Sequence, residues 1–216
     1  MESMQRSLTL ETMDDPNAPE ALLTSFHRDL KLIHTLIGDM RAITKRVKSI
    51  QPRTIIDIGC GDGALLDELK RATGASVTGV ELRPPAESPY HIPIVQADAT
   101  RDPLPLADVA VSMMVLHHLD EERIVGLIRN VGLYCKKFVC LDLVRHPLPI
   151  ALFTAFVCPF IGKIAARDGR QSIRRSFTGP ELRALAERAV EGSGAFVQHD
   201  VSRAYAGQIL EITYRD

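Results

Sequence analysis

Several classes of protein are excluded by what this sequence lacks. Its four cysteines, Cys60, Cys135, Cys140 and Cys158, include no C-x-x-C pair, so neither a zinc site nor a disulfide framework is implied and no metal is expected. A reducing, cytoplasmic location is the default expectation. The formal net charge is −1 over 216 residues. No domain-wide basic patch appears, so nucleic acid is not an expected partner. The amino-terminal stretch is polar and carries Glu2, Glu11, Asp14 and Asp15, unlike a signal peptide. The uncharged run from Pro147 to Gly162 holds three prolines. It is shorter than the roughly 20 residues that span a bilayer, so no transmembrane helix is expected. There is no internal repeat and no low-complexity tract. The 45% apolar and 25% charged fractions are ordinary for a soluble globular chain, and residues 1–216 read as a single domain.

What is present is concentrated in one segment, Thr54-Ile-Ile-Asp57-Ile-Gly59-Cys-Gly61-Asp62-Gly63-Ala-Leu-Leu-Asp-Glu-Leu69. It reads as a buried strand, a glycine-rich turn and a helix. The β-branched, apolar run Thr54–Ile58 suits a strand covered on both faces. Gly59, Gly61 and Gly63 permit a sharp turn and close approach of a ligand, and the helix that follows presents unpaired N–H groups to it. Asp57 precedes the first glycine. Glu81 ends the next strand, Ser76-Val-Thr-Gly-Val-Glu81, where a carboxylate can accept both hydroxyls of a ribose. Two ligand classes fit, because Gly59-Cys-Gly61-Asp-Gly-Ala64 also matches the dinucleotide pattern G-x-G-x-x-G/A. Asp98 follows a third strand, in a position that suits acceptance from an adenine amino group.

The order continues with Leu104-Pro105-Leu106-Ala-Asp108-Val-Ala-Val-Ser-Met113-Met-Val-Leu-His117-His118-Leu119. As a set, from about Thr54 to Val144, these motifs resemble the class I S-adenosylmethionine-dependent methyltransferases. A short-chain dehydrogenase would need Tyr-x-x-x-Lys, and Tyr134-Cys-Lys-Lys-Phe138 places Phe where that Lys belongs. A tRNA or protein methyltransferase is unsupported, since there is no N-P-P-Y-type tetrad and no basic face. The resemblance implies S-adenosyl-L-methionine as cofactor. Asp57, Gly59 and Gly61 would then hold its methionine part and Glu81 its ribose. Leu82, Asp98 and Ala99 would frame the adenine, Met113 would pack against it, and Arg41 would meet the cofactor carboxylate. The implied fold is α/β: a doubly wound, mostly parallel seven-stranded sheet with a carboxy-terminal antiparallel hairpin.

Around that centre, residues 1–17 read as frayed or loosely attached, with Met13-Asp-Asp-Pro16-Asn17 a turn signal. Residues 18–50 carry a helical stripe of Leu22, Leu23, Phe26, Leu30, Ile33, Leu36 and Ile37, interrupted at Gly38, and read as an N-terminal helical cap. His27 and His34 share one helical face of this cap. Four prolines between Arg83 and Pro93 argue against a full helix in that crossover. Thr178-Gly-Pro-Glu181 is a capping box that opens a helix to about Val190, and Phe196–Ala204 and Gln208–Arg215 read as a hairpin.

Residues 145–177 are an insertion leaving the fifth strand, the end where open α/β sheets bind ligands. It reads as a lid whose Phe153, Phe156 and Phe160, with Leu148, Leu152 and Ile161, wall an apolar substrate pocket. A homodimer contact and an interfacial helix touching a membrane surface are the alternatives. Lys163 to Phe177 holds five cations against one acid, a local charge of +4. Arg174 or Arg175 would pair with an anionic group of the substrate, and Asp142 and Arg145, at the end of strand five, would orient a polar acceptor group or pair with each other. The early Met-Asp-Asp-Pro segment, Arg145-His-Pro-Leu-Pro and Asp168-Gly169-Arg-x-Ser172-Ile-Arg174-Arg175-Ser-Phe177 resemble a bacterial methyltransferase subgroup often encoded beside polyketide synthases. That likeness implies a small, apolar or aromatic acceptor, with O-methylation of a phenol, enol or carboxylic acid favoured. C-methylation of a quinone-like ring, and a cofactor-binding partner subunit without transfer activity, are the alternatives. Hydroxyl acceptors need a base, and His117, His118 and His146 fall near strand ends where substrate would arrive.

Overall fold

A computed structural model describes residues 4–14, 29, 33, 38–202 and 207–214. The described residues form a seven-stranded sheet: β1 (Thr54–Ile58), β2 (Ser76–Glu81), β3 (Ile94–Gln96), β4 (Ala107–Met113), β5 (Cys135–Asp142), β6 (Phe196–Val201) and β7 (Gln208–Thr213). The spatial order is β3-β2-β1-β4-β5-β7-β6. The first five strands are parallel, and β7 runs antiparallel between β5 and β6. The order reverses between β1 and β4, which opens a crevice beyond their carboxyl ends.

Continuous apolar strands are required because both faces of the sheet are covered. Ile56, Ile58, Ala110, Phe138 and Cys140 pack on one side under α3 (Glu121–Tyr134) and α6 (Gly179–Val190). Ile55, Val109, Val111 and Val139 pack on the other side under α1 (Asp39–Ile50) and α2 (Ala64–Thr73). Asp57 shares the pleat of Ile55 and lies buried at the carboxyl end of β1.

Helix ends follow local chemistry. Asp120 caps α3 by accepting from the Arg123 N–H, and Thr178 with Glu181 closes the reciprocal capping box of α6. The crossover between β2 and β3 contains no helix, as its prolines dictate. The insertion after β5 forms α4 (Pro147–Phe156), a short 3-10 turn at Cys158–Phe160 and α5 (Lys163–Arg175). Phe153, Val157 and Ile173 make its small core with Ile33. No helix among the described residues is long and apolar enough to cross a membrane.

The amino-terminal segment departs from expectation. Residues 4–14 are docked rather than frayed. Ser7 N–H donates to the Arg174 carbonyl (3.0 Å) and Thr12 N–H to Asp168 Oδ2 (2.8 Å). Arg6 lies over the Phe177 ring at 3.9 Å and donates to the Leu119 carbonyl. The helical stripe from Leu22 to Ile37, apart from Ile33, lies outside the described residues, as do His27 and His34. The hairpin strands end at Val201 and Thr213, and residues 203–206 and 215 are likewise outside.

Candidate functional site

A cavity of about 850 Å³ opens at the carboxyl ends of β1, β2 and β4, within the size range of small-molecule sites. Its first half is built by the glycine turn. Gly59 has φ +72°, and a Cβ there would stand 2.6 Å from the Val115 side chain, so both conformation and space require glycine. Glu81 ties this turn to β2: its Oε2 accepts from Gly61 N–H (3.0 Å) and its Oε1 from Leu82 N–H (2.9 Å). Asp62, one residue before the α2 N-cap Gly63, accepts from Ala64 N–H (3.0 Å). Cys60 packs against Gly79 as small filler, its thiol pushed up by burial and by the charges of Asp57 and Glu81.

Asp57, Gly59, Gly61, Glu81, Leu82, Asp98, Ala99 and Met113 all line this half. Asp57 Oδ1 is buried and takes no hydrogen bond from the described residues. Burial, and then the nearby charge of Glu81, raises the Asp57 carboxyl well above its ordinary value. Burial also acts upward on Asp98, but hydrogen bonds from Thr100 and the charges of Arg123 and Arg101 outweigh it and hold that carboxyl low. Met114, beside the cavity, has φ +60° and is anchored by its N–H to the Leu141 carbonyl (2.9 Å).

The second half is walled by the insertion. Phe153, Phe156, Leu152 and Pro149 line it together with Ile33. Gly169 of α5 leaves room for the Phe153 ring, which a Cβ at that position would strike. Phe156 is 67% exposed and stands at the rim near exposed Leu148 and Phe160, neither of which lines the cavity.

Two histidines face this half. His117 is buried, its Nδ1 is 2.6 Å from Asp142 Oδ1, and its N–H donates to Asp142 Oδ2 (3.0 Å). Its Nε2 stands 4.0 Å from Glu11 Oε1. Burial alone would push this imidazole down, but the charge and hydrogen bond of Asp142, with Glu11 behind, hold it above its ordinary value. Burial acts upward on Asp142, and His117 together with backbone N–H donors holds it low. His118 Nδ1 is 2.9 Å from Asp14 Oδ1, and the two rings lie 4.2 Å apart. Arg175 closes the arrangement by donating to Glu11 and Asp14.

Four residues assigned to ligands from the sequence do not line this cavity. Arg41 is exposed on α1 and does not line the cavity. His146 caps α4, its Nδ1 accepting from Leu148 N–H (3.2 Å). Arg145 is buried and donates to the carbonyls of Met4 (2.7 Å) and Ser176 (2.8 Å) and to Glu181, so it binds the insertion to the amino-terminal segment. Arg174 points to solvent. Conversely, Glu11 and Asp14 line the cavity although their segment reads as frayed. The Met-Asp-Asp-Pro segment holds Asp14, while Glu11 lies two residues before it with no motif of its own.

The family model for a methyltransferase domain matches residues 32–146, more than half of the chain. No curated protein matches the sequence. Among solved structures, the plantazolicin methyltransferase BpumL in complex with a pentazolic desmethylPZN analog and SAH is similar at 13% identity, covering 95% of this chain and 93% of that one, with a TM-score of 0.71. The methyltransferase domain of bacterial CtHen1-C has 18% identity, 83% and 98% coverage and a TM-score of 0.61. Human N-acetylserotonin methyltransferase in complex with SAM has 18% identity, 95% and 63% coverage and a TM-score of 0.59. At these identities the likeness is one of fold.

Proposed function

The chain belongs to the methyltransferase-domain family, and from that premise we propose that it transfers a methyl group from S-adenosylmethionine to a hydroxyl oxygen of a small apolar or aromatic acceptor, a phenol or enol of polyketide type. The observation that carries this reading is the division of one cavity between a glycine-turn half and an aromatic half with a carboxylate-held histidine. The glycine-turn half suits the cofactor. Buried Asp57 Oδ1 offers an unused acceptor to an ammonium, the raised Asp57 carboxyl would be relieved by such a cation, and Glu81 retains lone pairs for ribose hydroxyls. When bound, S-adenosylmethionine supplies an electrophilic sulfonium methyl, so positioning and desolvation are the main tasks left to the protein.

The residues of the other half divide those tasks. Phe153, Phe156 and Leu152 hold the acceptor's apolar body and exclude water. His117 Nε2 takes the hydroxyl proton as the oxygen–methyl bond forms. Asp142, on Nδ1, fixes the tautomer and stabilises the imidazolium that results. Glu11 and Asp14 put carboxylates at this end, Arg175 is engaged by both of them, and Arg145 and Arg174 are turned away, so a neutral hydroxyl is favoured over a carboxylate acceptor. The insertion serves as a lid, and the exposed apolar rim at Phe156 supplies the entry for such molecules.

The test is transfer to a panel of phenols, enols and polyketide acids, with NMR of the product. Wild-type protein should give an O-methyl product, and His117→Asn should lose roughly 10²–10⁴-fold in rate while retaining cofactor affinity. A ring-methylated product would point instead to carbon as the acceptor atom.

A further inference from the structure

The acceptor end of the cavity holds more ligating groups than proton transfer needs. Glu11, His117 and His118 each offer one ligand atom, and these atoms lie within 4.8 Å of one another. One carboxylate and two imidazoles make a set suited to zinc and other first-row divalent cations. Each imidazole also has its Nδ1 held by a separate carboxylate, His117 by Asp142 at 2.6 Å and His118 by Asp14 at 2.9 Å. That outer arrangement leaves Nε2 of both rings as the ligand and fixes the rings, as around bound metals. Glu11 is buried, and Ser172 Oγ holds its Oε2 at 2.7 Å, which leaves Oε1 directed to His117 Nε2. All three residues line the cavity, so a further coordination position faces its interior.

We propose that Glu11, His117 and His118 form a site for a borderline divalent cation such as Zn²⁺, and that its occupation silences methyl transfer by engaging His117 Nε2. The silencing rests on the reading of His117 as the base. The site does not. Metal–ligand distances of about 2.0–2.2 Å require these groups to draw together by roughly an ångström on binding. Arg175 Nη1 lies 3.4 Å from the same Glu11 Oε1 and also binds Asp14, so the ion shares a carboxylate with a guanidinium. That competition makes the occupant exchangeable rather than resident. Sequence alone implied no metal, because Glu11 and the His117-His118 pair meet only in the folded chain.

Zn²⁺ titration of metal-free full-length protein by calorimetry, with Co²⁺ absorption as a spectroscopic probe, tests the site without turnover. We expect one ion per chain, bound at least 10-fold more weakly by Glu11→Gln and by His118→Asn, with unchanged binding in Cys158→Ser to exclude the partly exposed thiol. Unchanged affinity for S-adenosylhomocysteine would verify that the variants fold. Equal Zn²⁺ affinity in wild type and Glu11→Gln, or no binding, would overturn the site. Zn²⁺ that binds there yet leaves transfer unchanged or accelerates it would overturn the silencing. Failure of the base reading has a different signature, full transfer activity in His117→Asn.

Discussion

Glu81 and His117 carry opposite ends of the account at the scale of single residues. Glu81→Ala should weaken S-adenosylhomocysteine by about 1.5–3 kcal/mol, since a charged acceptor is removed and the Gly61 turn loses its anchor. Calorimetry on the variant measures this directly. His117 must be neutral to accept a proton, and its pKa is held up by Asp142 and Glu11 against burial. The rate should therefore rise with pH with a midpoint above the ordinary imidazole value near 6.5. Asp142→Asn removes the largest charge that raises that pKa, so the midpoint should move to lower pH as the maximal rate falls. An unmoved pH profile would show that Asp142 does not position the base. The arginines illustrate what sequence leaves hidden at this scale. Arg174 and Arg175 are adjacent, but one residue turns a helix by about 100°. Arg174 therefore faces water, while Arg175 faces Glu11 and Asp14. Arg145 sits at a strand end typical of ligand contacts, yet carbonyls from two distant segments claim its guanidinium.

Whole elements were legible wherever the signal was local. The strands β1, β4 and β5 carry apolar stretches at residues 55–56, 109–111 and 138–141 because both faces are covered there, and alternate residues then feed separate cores. The glycine turn, the proline-rich crossover and the Thr178–Glu181 capping box each depend on a few neighbouring residues, so their chemistry is readable in order along the chain. Residues 4–14 were not legible, since they carry no periodicity and are held by long-range ion pairs and backbone contacts to α5. The insertion reads as apolar from sequence, but which of its phenylalanines turn inward depends on packing. Phe153 turns in because Gly169 leaves it space, and Phe160 does not. Gly169→Ala should cost about 1–3 kcal/mol by overpacking against Phe153. It should raise the KM for the acceptor while leaving S-adenosylhomocysteine affinity near wild type. Urea denaturation and calorimetry check the two parts, and a loss of cofactor affinity instead would mean that the insertion does not separate the two halves of the cavity.

For the molecule as a whole, the same charges that build the site set its response to pH. Asp108 is held down to about 2 by the Lys136 ammonium and by backbone N–H groups of Arg53 and Thr54. Asp14, Asp98 and Asp142 are also held below their ordinary values. A carboxyl lowered on folding stabilises the native state above its unfolded pKa, about 3.9, and loses that contribution as pH falls through the folded value. His117, raised on folding, stabilises below about 6.5 and loses its contribution as pH rises through its folded value. Asp57 has the carboxyl sign reversed, because its raised value makes the ionised form unfavourable at neutral pH. The three carboxylates and Asp108 outnumber it, so urea midpoints should fall between pH 4 and 2 and decline mildly above neutrality. A flat profile across the acid range would contradict these assignments.

The glycine-turn half of the cavity is the proposed seat of S-adenosylmethionine. Calorimetric titration of the full chain with S-adenosylhomocysteine, alongside NADH, tests it most directly. Micromolar binding of S-adenosylhomocysteine, one per chain, and no heat from NADH are the expected results. Binding of NADH alone, or of neither, would contradict it.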